Sequence, residues 1–116
     1  MASVIAFPGP ISKPRQTSFD RAELAIILDL YGRMVSAGQW RDYAIDMEPG
    51  WAVFSAFRRA SERPEMALWK QPALRHKQGL YALVGEAGAV LKRGGELRSV
   101  LAPVERKLLK VVAERS

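Results

Sequence analysis

The sequence predicts an α+β protein, and three observations support that prediction. Apolar residues recur every three or four positions near both ends of the chain, as on one stripe of a helix. Between these segments they alternate with a period of two, as on strands. Glycine and proline separate the alternating segments at short intervals, so consecutive strands pair as hairpins. The predicted architecture is an N-terminal helix, an antiparallel meander of four or five strands, and a C-terminal helix or helix pair packed on the sheet.

The first helix begins within residues 17–20, where a hydroxyl can cap free backbone amides. Asp20 and Glu23 then lie in its positive first turn. The apolar stripe of this helix is Leu24, Ile27, Leu28, Tyr31, Met34 and Val35. Gly38 ends the helix, because glycine readily takes the left-handed conformation just past a last turn.

Strands follow this helix. Tyr43, Ile45 and Met47 alternate with smaller or charged residues, and a turn at 48–50 leads into a second strand, residues 51–57. Both alternating sets of that second strand carry large residues, so we expect it to be central and covered on both sides. A third strand spans residues 65–70 and is closed by Pro72.

The remaining elements are a basic connection, a hairpin and a helical pattern. The connection is residues 73–79, and the hairpin has arms 80–84 and 89–92 joined through 85–88. The helical stripe is Leu97, Val100, Leu101, Val104, Leu108, Val111 and Val112. Pro103 interrupts the pattern, so a short helix precedes it and a second helix begins there.

Composition limits the class of protein. The chain has 116 residues, of which 48% are apolar and 26% charged, as in an ordinary globular domain. Residues 1–16 contain three prolines and predict a flexible N-terminal arm; residues 17–116 predict a single domain. Pro8 and Pro10 interrupt the apolar start of the chain, and no run approaches the ~18 apolar residues of a membrane helix. A cytoplasmic protein is expected, and the lack of cysteine is consistent with that compartment.

Positive charge is concentrated in the second half of the chain. The net charge is +6, with five Lys/Arg against six Asp/Glu in residues 1–57 and thirteen against six in residues 58–116. The candidates for binding an anion or nucleic acid are Arg58, Arg59, Arg75, Lys77, Lys92 and Arg93. If these six gather on one rim of the meander, they form a site for nucleic acid or an acidic protein surface. If they are scattered, they form a solvated surface that aids solubility.

Four further residues are candidates for contact with a partner: Trp40, Arg41, Trp69 and Tyr81. Trp69 and Tyr81 lie near the predicted rim and can stack on a base. Trp40 and Arg41 lie at the entry to the sheet, where an aromatic ring can anchor a partner and a guanidinium can pair with an anion. The alternative is structural, with Trp40 closing the core at the end of the first helix, and the sequence favours it.

No catalytic constellation is visible. The one histidine, His76, stands between Arg75 and Lys77, which do not ligate metals. Asp42 and Asp46 share a strand face but stand about 13 Å apart, at ~3.3 Å per residue. The glycines match no phosphate-binding pattern, and without cysteine there is no thiolate zinc site or cysteine nucleophile. We therefore expect no enzyme, no cofactor and no metal.

Two functions stay open. The first is a binding or adaptor protein of regulatory type that engages nucleic acid or an acidic protein through the basic residues. The second is a structural or interaction protein that homodimerises, or docks to a partner, through its amphipathic C-terminal helix. On that helix Arg106, Lys107 and Lys110 oppose the apolar stripe, so it can also lie on a membrane surface.

Several segments also carry a resemblance, above all Leu30-Tyr31-Gly32-Arg33-Met34 and Trp40-Arg41-Asp42-Tyr43-Ala44. Over roughly Phe19 to Leu101 the chain resembles a family of small proteins from alphaproteobacteria that is catalogued as a domain of unknown function. The resemblance implies no activity, cofactor or catalytic residue.

Overall fold

The structure, a computed structural model, describes residues 16–59 and 63–115. The predicted N-terminal arm, residues 1–16, lies outside the described residues except for Gln16. The described helices are α1 (Arg21–Ser36), α2 (Leu97–Val100) and α3 (Ala102–Arg115), and the strands are β1 (Asp42–Glu48), β2 (Trp51–Phe57), β3 (Met66–Lys70), β4 (Tyr81–Gly85) and β5 (Val90–Gly94). This arrangement confirms the predicted α+β class.

Helix α1 begins with a capping box. The Asp20 carboxylate accepts a hydrogen bond from the Glu23 backbone N–H at 2.8 Å, and the Glu23 carboxylate accepts one from Asp20 at 2.7 Å. The two residues thereby satisfy two amides that have no partner within the helix. The predicted hydroxyl cap is therefore wrong, since a carboxylate takes that place. The predicted end of the helix is confirmed, with Gly38 at φ +75° just after the last turn.

The five strands form one sheet in the order β1-β2-β3-β4-β5, each antiparallel to the next. Because each strand pairs with its successor in the chain, the connections are hairpins and the predicted meander is confirmed. Cα partners in such a ladder share a face, so the register shows which side chains lie together. Ile45, Phe54, Leu68 and Leu83 form one such row across four strands.

All three described helices pack on the face of the sheet that carries this row. Phe54, Leu68 and Leu83 have no exposed surface and belong to the same core cluster as Ile27 and Leu30 of α1. The core side chains from α2 and α3 are Leu97, Val100, Val104 and Leu108. Pro103 is the second residue of α3, where a missing N–H costs little, so the predicted helix pair is confirmed. No described helix has both the length and the hydropathy to cross a bilayer.

The predicted cover on both sides of β2 is wrong for the described part of the chain. Trp51, Val53 and Phe57 lie on the face away from the helices, and Trp51 and Phe57 are half-buried. Val53 is buried, with 6% exposure, although it belongs to no helix-packed cluster. Large side chains in both alternating sets therefore do not imply a second covering layer, because neighbours on one face can shield one another.

Candidate interaction surface

The face of the sheet away from the helices, called here the open face, has an apolar centre and charged edges. Its apolar centre comprises Trp51, Val53, Phe57, Trp69, Val84 and Val90. No helix or strand among the described residues covers this face. Val90, near one edge, is 47% exposed. A contiguous apolar patch with a polar border is the usual composition of a surface that binds a partner.

Two tryptophans occupy the middle of the open face. The rings of Trp51 and Trp69 lie with their centroids 5.2 Å apart at an interplanar angle of 48°. Trp69 lies between Val53 and Ala82 in the register, and these two neighbours retain only 6% and 3% of their surface. Each tryptophan is itself half-buried, so part of each ring still faces solvent. The pair therefore forms a rigid apolar platform.

One row of the open face runs from an acid to a base across the whole sheet. The register places Asp46, Val53, Trp69, Ala82 and Arg93 side by side on β1 to β5, in that order. Asp46 and Arg93 are both exposed. On β1, Asp42 and Glu48 lie on the same face as Asp46 and are also exposed. The open face is therefore acidic along β1 and basic at β5.

The six predicted anion-binding residues do not meet on one rim. Arg58 and Arg59 follow β2 at the end of the sheet where Ala56 pairs with Met66. Arg75 and Lys77 lie in the connection between Lys70 and Tyr81, which pair at the opposite end. At ~3.3 Å per residue, the four residue steps from Met66 to Lys70 along β3 separate the two ends by about 13 Å.

The last two cations are on different faces. Lys92 pairs with Leu83, so it belongs to the helix-covered face, whereas Arg93 pairs with Ala82 on the open face. Neighbouring residues on a strand always point to opposite sides, so these two cannot converge. The predicted set is therefore dispersed over both ends and both faces of the sheet.

Arg58 is held by a carboxylate of its own chain. Its guanidinium lies 2.5 Å from Glu65, which also accepts hydrogen bonds from the Trp40 indole at 2.9 Å and from Lys107 at 3.1 Å. Burial opposes ionisation of Glu65, but the three hydrogen bonds outweigh it and lower the pKa of the carboxyl. Glu65 therefore stays charged and ties β2, the end of α1 and α3 together.

Of the four predicted partner contacts, two are in the core. Trp40 is 1% exposed, its ring is stacked on that of Tyr31 with the centroids 6.1 Å apart, and its indole N–H donates to Glu65. The structural alternative for Trp40 fits this position. Arg41 is exposed at the start of β1, with its backbone N–H bonded to the carbonyl of Phe57, and Trp69 lies on the open face.

Tyr81 lies on the helix-covered face, opposite Trp69, and is 6% exposed. Its hydroxyl donates to buried Glu23, and Lys70 donates to the same carboxylate at 2.7 Å and to the Ser18 carbonyl at 2.8 Å. Burial, together with the hydrogen bond to Glu23, raises the pKa of the Tyr81 hydroxyl well above its usual value. Tyr81 is thus a protonated donor inside the fold and offers no ring to a partner.

Glu23 and Glu65 are the polar residues whose roles the sequence analysis missed. Each takes cations and neutral donors from distant parts of the chain, 47 and 58 residues away for Glu23 and 25 and 42 residues away for Glu65. The one local signal was the spacing of Asp20 and Glu23, which fits a capping box. That spacing does not indicate that Glu23 is buried.

A second apolar surface lies between α1 and α3. A groove of about 500 Å³ is bordered by Ser36, Ala37, Leu109, Val112 and Arg115, among others. Leu109 is 68% exposed, the largest exposure among the exposed large apolar side chains of the described residues. At the far end of the groove, Arg33 binds Glu105 with two hydrogen bonds of 2.8 Å. Of the stripe predicted for docking, only Leu108 and Val112 border this groove, whereas Leu97, Val100, Leu101 and Val104 are buried in the core.

A family model described as "Protein of unknown function (DUF2794)" matches residues 17–101. The chain belongs to this family. The match confirms the resemblance to a domain of unknown function, while the alphaproteobacterial origin stays a prediction. No curated protein and no solved structure matches the chain.

The DUF2794 match contains α1, all five strands and α2, and it ends before α3. The open face therefore lies within the family domain. The groove is different, because Leu109 and Val112 belong to α3. Of the two surfaces, the open face is the one that this DUF2794 chain builds from family-matched residues.

The described residues hold no group of three or more His, Cys, Asp or Glu side chains placed to bind a metal ion. His76 is exposed in the connection between β3 and β4. Glu23 and Glu65, the two carboxylates with the most hydrogen-bond donors, are each engaged with the fold itself.

Proposed function

We propose that this chain is a non-catalytic interaction protein, acting as a cytoplasmic adaptor, that binds a protein partner through its open face. The single observation that carries the proposal is the Trp51 and Trp69 pair, half-exposed on a sheet face that no described element covers. Tryptophan is enriched where proteins bind one another, because its rigid ring offers a large contact area at little cost in conformational entropy.

A protein partner fits this surface better than nucleic acid does. Nucleic-acid binding depends on several cations that neutralise neighbouring phosphates. Only Arg93 of the six predicted cations lies within the open face, while Asp42, Asp46 and Glu48 border it on β1. Those carboxylates would repel a phosphate backbone. An apolar centre with both signs of charge at its edges is instead the composition of a protein–protein interface.

Site-specific photo-crosslinking in living cells that produce the chain tests this proposal. The photoreactive amino acid p-benzoylphenylalanine replaces Phe57 or Val90 on the open face and, as a matched control, exposed Lys110 on α3. We expect a discrete protein adduct from each open-face position, no such adduct from the control, and loss of the adducts when Trp69→Arg is added.

Two results would contradict the proposal. One is the absence of any adduct at both open-face positions. The other is an adduct that disappears on treatment with nuclease, which would return the assignment to nucleic acid. A Trp69→Arg chain that keeps its far-ultraviolet circular dichroism shows that loss of the adduct is not loss of the fold.

A further inference from the structure

The charges at the two edges of the open face are complementary to each other, although they cannot meet within one chain. Asp46 and Arg93 are separated by four strand spacings of ~4.8 Å, or about 19 Å, whereas an ion pair needs about 4 Å. Neither residue has an ion-pair partner among the residues that the structure describes. Asp46 therefore lacks a cation and Arg93 lacks an anion, and each residue carries the charge that would pair with the other.

We propose that a second copy of this chain covers the open face, the two sheets packing face to face about a twofold axis that runs along β3. The inference rests on the proposed function and names its partner. Such an axis reverses the order of the strands, so that β1 of each copy lies over β5 of the other. Asp46 then faces Arg93 of the second copy twice in the dimer, and Trp69 lies beside the axis.

The charges on β1 favour this axis over a twofold axis that runs across the strands. A twofold axis across the strands would place β1 over β1, bringing Asp42, Asp46 and Glu48 of both copies together. Like charges at such distances repel, whereas the axis along β3 separates the two β1 strands and places Asp46 of each copy opposite Arg93 of the other. The row from Asp46 to Arg93 is therefore self-complementary in one orientation only.

The shape of the face allows close approach. Beside the row that contains Trp69 runs a row of small side chains, Ala44, Ser55 and Ala67, that continues into Val84 and Val90. Sheets pack about 10 Å apart with their strands roughly aligned, and small residues next to a large ring permit that spacing. Five strands and five residues give a face of roughly 400 Å² in projection. Two such faces amount to roughly 800 Å² in total, which is below the standard interface size and fits a weak, reversible dimer.

Sedimentation velocity between about 5 and 500 µM, a range chosen for a micromolar equilibrium, is the first measurement. We expect the unmodified chain to dimerise as the concentration rises. Asp46→Arg and Arg93→Glu should each raise the dimer dissociation constant at least about tenfold, since each replaces two attractive contacts by two repulsive ones. Both positions are exposed, so each variant should keep its thermal unfolding midpoint when monomeric.

Mixing the two variants is the decisive step. In a heterodimer of the two, the cation introduced by Asp46→Arg faces the carboxylate introduced by Arg93→Glu. The second contact joins the unchanged Arg93 of the first variant to the unchanged Asp46 of the other, so both contacts become attractive. Native mass spectrometry of an equimolar mixture should therefore show a heterodimer from two chains that are monomeric alone. An interaction within one chain could not be restored in this way.

Leu109→Arg is the matched control, since it places a charge on the rival α1 and α3 groove and should leave the dimer unchanged. Dissociation by Leu109→Arg with no effect of the Asp46 and Arg93 variants would assign the interface to α3 and overturn the inference. A wild-type monomer at the highest concentration, or a mixture that forms no heterodimer, would also overturn it. The proposed function is judged separately, because an open-face adduct heavier or lighter than two chains would uphold it with another protein as the partner.

Discussion

The two faces of the sheet are formed by alternate residues of the same five strands, but the described helices cover only one of them. On the helix-covered face, Phe54, Leu68 and Leu83 are fully buried, and Glu23 and Glu65 bind cations of their own chain. On the open face the apolar groups shield one another in part, and Asp46 and Arg93 find no ion-pair partner within the described chain. The first face is complete as a folded core. The second is left open by the described residues, and we propose that a partner covers it.

The largest difference between the two faces should appear in the free energy of unfolding when two phenylalanines of β2, one on each face, are each replaced by alanine. Phe54→Ala removes a fully buried ring and should lower the free energy of unfolding by about 3–5 kcal/mol. Phe57→Ala removes a half-buried ring from the open face and should cost only about 1 kcal/mol in the monomer. Urea denaturation of dilute protein measures both. Equal losses would mean that the open face is part of the core.

A smaller contrast concerns charge on the two faces. Lys70→Met leaves the buried Glu23 carboxylate without its cation and should cost about 3 kcal/mol, because a buried charge then lacks compensation. Arg93→Met on the open face should change the stability of the dilute monomer by no more than about 0.5 kcal/mol. Adding Glu23→Gln to Lys70→Met should recover part of the loss. No recovery in that double variant would show that Lys70 acts through packing alone.

The smallest effect is a pH dependence of the stability of the fold that comes from Glu65. Because the pKa of Glu65 is lower in the folded chain than its usual value, its stabilising contribution is present above the pKa of the unfolded chain. That contribution is lost as pH falls through the lower, folded-state value. The stability difference between the wild type and Glu65→Gln should therefore be largest near pH 7 and shrink below about pH 4.3. Glu86→Gln, in the exposed turn between β4 and β5, is the matched control for loss of a surface carboxylate.

Much of the fold could be predicted from the sequence, because it follows from local pattern. The change from a period of 3.6 to a period of 2 after Gly38 located β1, and Pro103 marked the boundary between α2 and α3. Local pattern also gave the two faces of β2. It could not say which faces would be covered, since cover depends on how α1, α2 and α3 pack in three dimensions.

The surface was harder to predict than the fold. Whether cations converge depends on register, and register placed Arg58 and Arg75 at opposite ends of the sheet and Lys92 and Arg93 on opposite faces. Trp40 and Tyr81 are distinctive in the sequence because they are large and amphipathic, but their polar atoms reach carboxylates far along the chain. Only Trp69 and Arg41 of the four candidate contacts are left at the surface.

Because the described helices cover only one face of the sheet, the number of copies that can associate through the sheet is limited. Association through the open face by a twofold axis consumes the whole face in both copies, so it ends at two and cannot extend into a fibre. Growth of a larger array would have to proceed through the edges of the sheet at β1 and β5, where no further strand of the described residues pairs. On β1 every second side chain from Asp42 to Glu48 except Ala44 is acidic, which disfavours addition of a like strand. In the proposed dimer, the carboxylates that fix the orientation of the pair would also help to keep it finite.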